Sequence, residues 1–493
     1  MSRTHHATGM HIEIDALKPV LRAYALGYLT ATGPRIANSL GVLTRRDVPF
    51  AVRRDLILHI LKTSTQINRF PAACAIIAAG STTIPQLLAV FLKYIAASIK
   101  HDAVKTAVEA LSRRLRLACT FAAAWVAFSL LNRDEQWKKR RALSQSSAHT
   151  DQSMLRLPAH HNQPTSSPTQ FAGKTIDFTL FTFCRALDVM VITLWTRTRT
   201  SKWHLEQRAP RLANFARKAA DPWVFSTSAA VIMWAWFYSP ERLPKAYNHW
   251  ISKAAAIDTR LIEALRLARR GEFIYGQDTG HASLLKGLCH DLDLPEEYGD
   301  PSKTVPIPCE LYHCGVGKSC EGHALTRFWR SFKFAMELYL PLQLLARLRS
   351  LNKDAVLAAV KGAAQSSSFL AAFVAMFYYS VCLARTRLGP KVFGNKTVSP
   401  QMWDSGLCTL AGCLGCGWSI LLEKPSRRQE VAFFVAPRAM ATLLPRVYNK
   451  QYQRREQIIF ATSIAVVLNA INSGDSQHVR GVLGKLLETV LKV

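Results

Sequence analysis

Along the last third of the chain, runs without charge alternate with compact charged clusters. Gly362–Ala384 carries no charged residue and reads mostly AAQSSSFLAAFVAMFYYSVCLA. Ser405–Leu422 (SGLCTLAGCLGCGWSILL) follows, then the charged EKPSRRQE, then Val431–Val447 with Arg438 and Arg446 inside it. Gln457–Gly474 is the last uncharged run. A hydrocarbon core of roughly 30 Å needs about 20 mostly apolar helical residues, so this alternation predicts membrane-spanning helices rather than a soluble core.

Earlier in the chain the pattern is more mixed. Leu17–Leu40 has an uncharged centre too short to span, which predicts an interfacial or re-entrant helix ended by Pro34. Phe70–Leu92 is uncharged and predicts a span, with Gly80 and Pro85 marking a kink or a close helix approach. Lys100–Arg116 reads as a basic helix and Leu117–Asn132 as a short span with snorkelling arginines. Ile176–Trp195 contains Asp177, Arg185 and Asp188. It reads equally as a span and as a helix in the interface, and Arg185 and Asp188 share a face on which they can pair. Pro222–Pro240 is uncharged, and its tryptophans and Tyr238 resemble an aromatic belt.

These readings divide the chain into five parts. Residues 1–142 form an N-terminal membrane region with an interfacial helix and two candidate spans. Residues 143–174 are rich in Ser, Gln, His, Thr and Pro and read as a flexible polar linker. Residues 175–240 are a middle membrane region, and 241–326 a soluble loop with a cysteine cluster. Residues 327–493 form a glycine-rich C-terminal membrane region, entered through the amphipathic Phe328–Leu348. The expected fold is all-α: a multi-pass integral membrane helical bundle of about six or seven spans with basic loops.

Composition refines this picture. A net charge of +30 over 493 residues is large, and the mean hydropathy of +0.05 is low for a bundle because long polar loops dilute the apolar runs. Lys and Arg lie between apolar runs throughout, as basic loops beside anionic headgroups would. They do not gather on one face with aromatics between them, so nucleic acid is rejected as the main partner. The first residues, MSRTHHATGMHIEID, contain no apolar h-region and include Glu13 and Asp15, so insertion is expected to use internal apolar segments. Eleven cysteines, several inside apolar runs, read as small hydrophobes rather than a secreted disulfide framework.

Candidate chemistry concentrates at Pro308–His323, PCELYHCGVGKSCEGH. Cys309, His313, Cys314, Cys320 and His323 supply N and S donors of the kind zinc takes, but the spacing is irregular and lacks a paired CxxC. A reduced, packed loop is the first reading, with a structural metal or a disulfide as alternatives, so no metal or other cofactor is assigned. His160–His161 reads as a solvated loop. GVGKS fails as a phosphate loop because Tyr312 stands where its first glycine belongs. His290–Asp291 is a weak base–orienter pair, and no nucleophile elbow, HExxH or dinucleotide fingerprint appears, so the chain reads as non-enzymatic. Gly406, Gly412, Gly415 and Gly417 predict tight helix packing, with a pore or groove as the functional alternative. Glu423, Arg427, Arg428, Glu430 and Arg438 predict a structural ion-pair cluster, with Arg438 returning to Glu423 or Glu430 and a charged lining of a translocation path as the second reading.

At these residues the sequence resembles a known family. CELYH…SC followed by FWRSFKFAMELYLPLQLL resembles the cysteine-rich region of the transmembrane protein 135 family. SSSFLAAFVAMFYYSVCLARTRLG, GLCTLAGCLGCGWSILLEKPSRRQEVAFFVAPRA and VRGVLGK are similar to its fungal-type members. The resemblance covers Cys309–Val493 and, more faintly, Arg22–Ile36. Its matching positions are Cys309, His313, Ser319 and Cys320, then Gly412, Gly415, Arg427, Arg428, Glu430 and Arg438. Cys314 stands where that family has proline. The glycine-rich half is also distantly similar to the mitochondrial inner-membrane protein-translocase family. The resemblance implies a multi-pass protein of peroxisomal or mitochondrial membranes, linked to lipid handling or organelle dynamics and without an enzymatic reaction. Expected partners are the bilayer and other membrane proteins or a second copy. A translocase-like pore and a membrane-bound lipid-modifying enzyme are the alternatives.

Overall fold

The computed structural model describes residues 3–43, 49–97, 114–133, 175–198, 209–347, 352–394, 397–444, 450–474 and 476–492. The polar linker 143–174 with His160–His161, and most of the basic stretch Lys100–Arg116, lie outside them. Every element among the described residues is helical. Among the described residues five helices are long and apolar enough to cross a membrane: Phe70–Leu92, Arg114–Arg133, Ile176–Arg197, Lys353–Phe393 and Pro400–Leu422. The chain folds as two compact units, residues 1–204 with 445–493, and residues 205–444. The C-terminal region read as one piece from 327 to 493 therefore divides after Leu444, because its last helices bury their apolar faces among the N-terminal ones.

The first unit contains α1 (Arg3–Leu43), α2 (Phe50–Ser64), α3 (Phe70–Ser81), α4 (Thr83–Ala97), α5 (Arg114–Arg133) and α6 (Ile176–Arg197). From this unit's C-terminal part come α16 (Lys450–Asn472) and α17 (Gly481–Leu491). Pro34 does not end α1: the helix forgoes one backbone bond and continues to Leu43. The break expected near Gly80 and Pro85 falls at Thr82, and Asn472 Nδ2 donates to the freed Ser81 carbonyl at 2.9 Å. A Cβ at Gly80 would lie 2.9 Å from the Cys119 carbonyl oxygen, so α3 and α5 approach backbone to backbone. Phe460 of α16 is fully buried and sits 5.6 Å from the Phe128 ring and 5.3 Å from Phe178. Asp188 of α6 is held by Arg480 at 2.5 and 3.2 Å, and Arg185 donates to the Arg480 carbonyl at 3.3 Å.

The second unit contains α7 (Pro210–Tyr238), α8 (Lys245–Ala255), α9 (Thr259–Arg270), α10 (Ala282–Asp291), α11 (Cys309–Tyr312) and α12 (Cys320–Leu345). It continues with α13 (Lys353–Phe393), α14 (Pro400–Leu422) and α15 (Pro425–Leu443). Helix α14 runs antiparallel to α13. A Cβ at Gly412 would lie 2.8 Å from Val381, and one at Gly415 would overlap Ser380. Helix α7 covers the pair through Phe237 stacked on Phe377 at 5.4 Å and Ser226 against Gly417. Residues 239–319 form a helical cap over the end of the pair where α13 finishes and α14 begins.

Several helices invert the usual amphipathic pattern. On α14, Cys408, Cys413, Cys416 and Ile420 are fully buried while Leu407, Leu410, Leu414 and Leu421 are exposed. On α4 the exposed face is Leu87, Val90, Phe91 and Tyr94, and on α6 it is Leu187, Met190, Val191 and Leu194. Both follow the i, i+3, i+4, i+7 spacing of a single helical face, turned outward rather than toward a core.

Candidate functional site

Two polar centres lie at the ends of the α13–α14 pair. Both helices pass through a π-turn at the capped end, Leu383–Arg387 on α13 and Trp403–Leu407 on α14. Gly406 sits in the second turn at φ +145°, a conformation L side chains rarely adopt. These turns bring Arg385 against Asp404, with Nε to Oδ1 at 2.5 Å and Nη2 to Oδ2 at 2.8 Å. Asp404 is fully buried and Arg385 is 5% exposed. The cap completes the centre. Tyr312 donates its hydroxyl to Asp404 Oδ1 at 2.9 Å, Tyr275 donates to Oδ2, and Arg385 donates to the Ile307 carbonyl. The guanidinium also lies 4.2 Å from the centroid of the Tyr312 ring. Burial, with the Asp404 carboxylate beside it, pushes the Tyr275 hydroxyl well above the ordinary tyrosine value, so it stays a donor.

At the opposite end, Ser366 donates to Glu423 Oε2 at 2.7 Å and accepts from Arg427 at 2.8 Å. Arg428 donates to the Glu423 and Leu421 carbonyls at 2.8 and 2.6 Å, closing the end of α14. Glu423 is 3% exposed. Arg438 lies apart from this group, donating to the Phe434 carbonyl at 2.7 Å and stacking over the Phe434 ring, so Glu423 takes Ser366 and Arg427 in its place. Glu430 is half-buried on α15. Arg385 follows Ser366 by 19 residues on α13, and Glu423 follows Asp404 by 19 on α14. At 1.5 Å per residue that spacing is about 28 Å, close to a bilayer's hydrocarbon thickness.

The cysteine cluster lies at the capped end. Helix α11 is a single turn that sets Cys309 at its first residue and His313 at its close, four positions on. Positive φ at Cys314 (51°), Gly315 (79°) and Gly317 (104°) turns the loop back on itself, and His313 Nδ1 meets the Gly317 carbonyl at 2.7 Å. Ser319 accepts from the Gly322 amide and starts α12, whose first residue is Cys320. The donor atoms of Cys309, His313 and Cys320 all lie within 4.8 Å of one another. Cys314 is not among them, because its left-handed backbone turns its sulfur toward the Tyr312 carbonyl, 3.8 Å away. His323 stacks on His313 at 4.5 Å instead of joining the group, and neither of its ring nitrogens finds a partner in hydrogen-bonding geometry. Burial pushes His323 down to about 3 and holds His313 below the usual histidine range, so both rings are neutral. Burial likewise raises the Cys309 thiol.

The remaining candidates are dispersed. His290 is exposed, and its neighbour Asp291 pairs with Arg260 at 2.8 Å, so the two form no buried base–orienter unit. Sequence reasoning missed Arg385, Asp404 and Cys382. The two charges flank the apolar runs Gly362–Ala384 and Ser405–Leu422 by one position each, which was the available signal. Cys382 has none, since it lies 62 residues beyond Cys320 inside an apolar run. No family model, curated protein or solved structure matches the chain.

Proposed function

We propose that the chain is an integral membrane protein of about six or seven spans, acting as a non-enzymatic component of a peroxisomal or mitochondrial membrane in the manner of the transmembrane protein 135 family. Its role is support of lipid handling or organelle dynamics. The observation that carries the membrane reading is the outward apolar face on α4, α6 and α14. In water such faces would expose contiguous hydrocarbon, whereas in a bilayer they meet lipid tails. The matched spacing of the two polar centres supports the same reading, since it sets each near a headgroup layer.

The organelle and the lipid role rest on the sequence resemblance. Tagged protein should stay in the pellet after alkaline carbonate extraction and co-migrate with peroxisomal or mitochondrial markers, and its deletion should change the lipid profile of that organelle. Release into the carbonate supernatant would overturn the membrane reading. Retention with an unchanged lipid profile and unchanged organelle morphology would overturn the role. The translocase-like pore is less favoured by the geometry, because Gly412 and Gly415 pack against Phe377, Ser380 and Val381 and leave no groove on that face.

A further inference from the structure

We propose that Cys309, His313, Cys320 and Cys382 form a structural zinc site, of the three-thiolate, one-imidazole type, that fastens the cap to the end of α13. Three of the four were visible as candidates in the sequence. The fourth donor comes from the spanning helix, where Cys382 Sγ lies 3.5 Å from His313 Nε2. Cys309, His313 and Cys320 hold their donor atoms within 4.8 Å of one another, and His313 links Cys382 to them.

The donor set and its spacing suit zinc. With Zn–S near 2.3 Å and Zn–N near 2.05 Å, a tetrahedral site has an S···N edge of about 3.6 Å and S···S edges of about 3.8 Å. The observed 3.5 Å between Cys382 and His313 matches the S···N edge, and Cys309, His313 and Cys320 lie within 4.8 Å of one another, so metal binding would draw these donors together by about an ångström. The imidazole is already oriented. With Nδ1 as the donor to the Gly317 carbonyl, the lone pair on Nε2 is free to face the Cys382 sulfur, the outer-sphere arrangement usual for zinc-bound histidine. Nor does a disulfide account for the arrangement, because pairing two of these thiols leaves a third buried thiol and an imidazole with no shared purpose. The stack of His323 on His313 walls the group from solvent, and Cys320 and Cys382 are each 5% exposed. With all four positions filled by protein, the site is closed and structural rather than catalytic.

The function is mechanical. Zinc ties α11, the start of α12 and the end of α13 at one point, one helical turn before the buried Arg385–Asp404 pair. Binding displaces up to three thiol protons, so affinity falls as pH falls. The proposal does not depend on which membrane holds the chain.

The test is metal analysis of the full chain, purified in detergent under reducing conditions without chelator. The expected result is one zinc per chain, and on exchange with cobalt(II) the thiolate-to-metal charge-transfer absorption of a tetrahedral thiolate site. Cys382→Ser should lose the metal while remaining monodisperse, and Cys314→Ser and Cys289→Ser should keep it. A wild-type chain that binds neither zinc nor cobalt would overturn the proposal, whatever the variants do. Metal retained in Cys382→Ser, or a disulfide among Cys309, Cys320 and Cys382 in protein alkylated before lysis, would overturn it equally.

Discussion

Replacing Asp404 with asparagine keeps the volume of the side chain and removes its charge. Arg385 is 5% exposed, and among the described residues Asp404 is the only carboxylate it bonds, its other acceptor being the Ile307 carbonyl. A guanidinium left buried without its counter-charge costs about 3–5 kcal/mol. Tyr275 and Tyr312 would keep an acceptor at one amide oxygen only, adding to that loss. For a unit of this size, with about 2–4 °C of melting temperature per kcal/mol, the shift is about 6–20 °C. Thermal unfolding in detergent, followed by fluorescence-detected size exclusion, reads that shift directly. The double variant Arg385→Met with Asp404→Leu should recover the part due to the buried charge, because an apolar pair has none left uncompensated, while the Tyr275 and Tyr312 hydroxyls still lose their acceptor. If Asp404→Asn melts within about 2 °C of wild type, the pair is hydrated and the argument from burial is wrong.

Other outcomes follow from the same reasoning. Gly412→Leu should lower the melting temperature by an amount equivalent to about 1–3 kcal/mol, since its Cβ alone would lie 2.8 Å from Val381, while Gly33→Leu, with open space around it, should be near neutral. Asp258 caps α9 by accepting from the Arg260 amide at 2.8 Å, so Asp258→Ala should cost about 1 kcal/mol in the same assay. Asp300 accepts from the Ser302 amide and hydroxyl and pairs with Lys286, which hold its carboxyl at about 2. Its stabilising contribution is therefore complete above the ordinary aspartate value near 4 and lost as pH falls toward 2. Acid titration of the wild type and of Asp300→Asn should converge at the bottom of that window, and parallel curves would refute it.

The fold class was legible because the signal was long: charge-free runs of about 20 residues have few readings. Part of the glycine packing was legible for the same reason, since Gly412, Gly415 and Gly417 recur within one such run. The polar centres were not. Arg385 and Asp404 meet only because two π-turns reset the phase of α13 and α14, and no periodicity in the sequence announces a π-turn. The thiol cluster was half legible. Cys309, His313 and Cys320 are neighbours in sequence, but Cys314 looked equivalent until its left-handed backbone turned it away, and Cys382 joins through tertiary contact alone. The destination of Arg438 was misjudged because charge complementarity suggested a return to Glu423, while aromatic neighbours on its own helix lay nearer.

The equal 19-residue spacing on α13 and α14 binds the two helices to a common length. Inserting one residue between Ser366 and Arg385 would advance one centre by about 1.5 Å and turn it by about 100° relative to the other, so one partnership would break. The same insertion in α14 would break it from the other side. Only paired changes, or whole turns added to both helices, leave both partnerships intact. Variation in the length of this hairpin is therefore expected to be concerted, with the two helices growing or shrinking together.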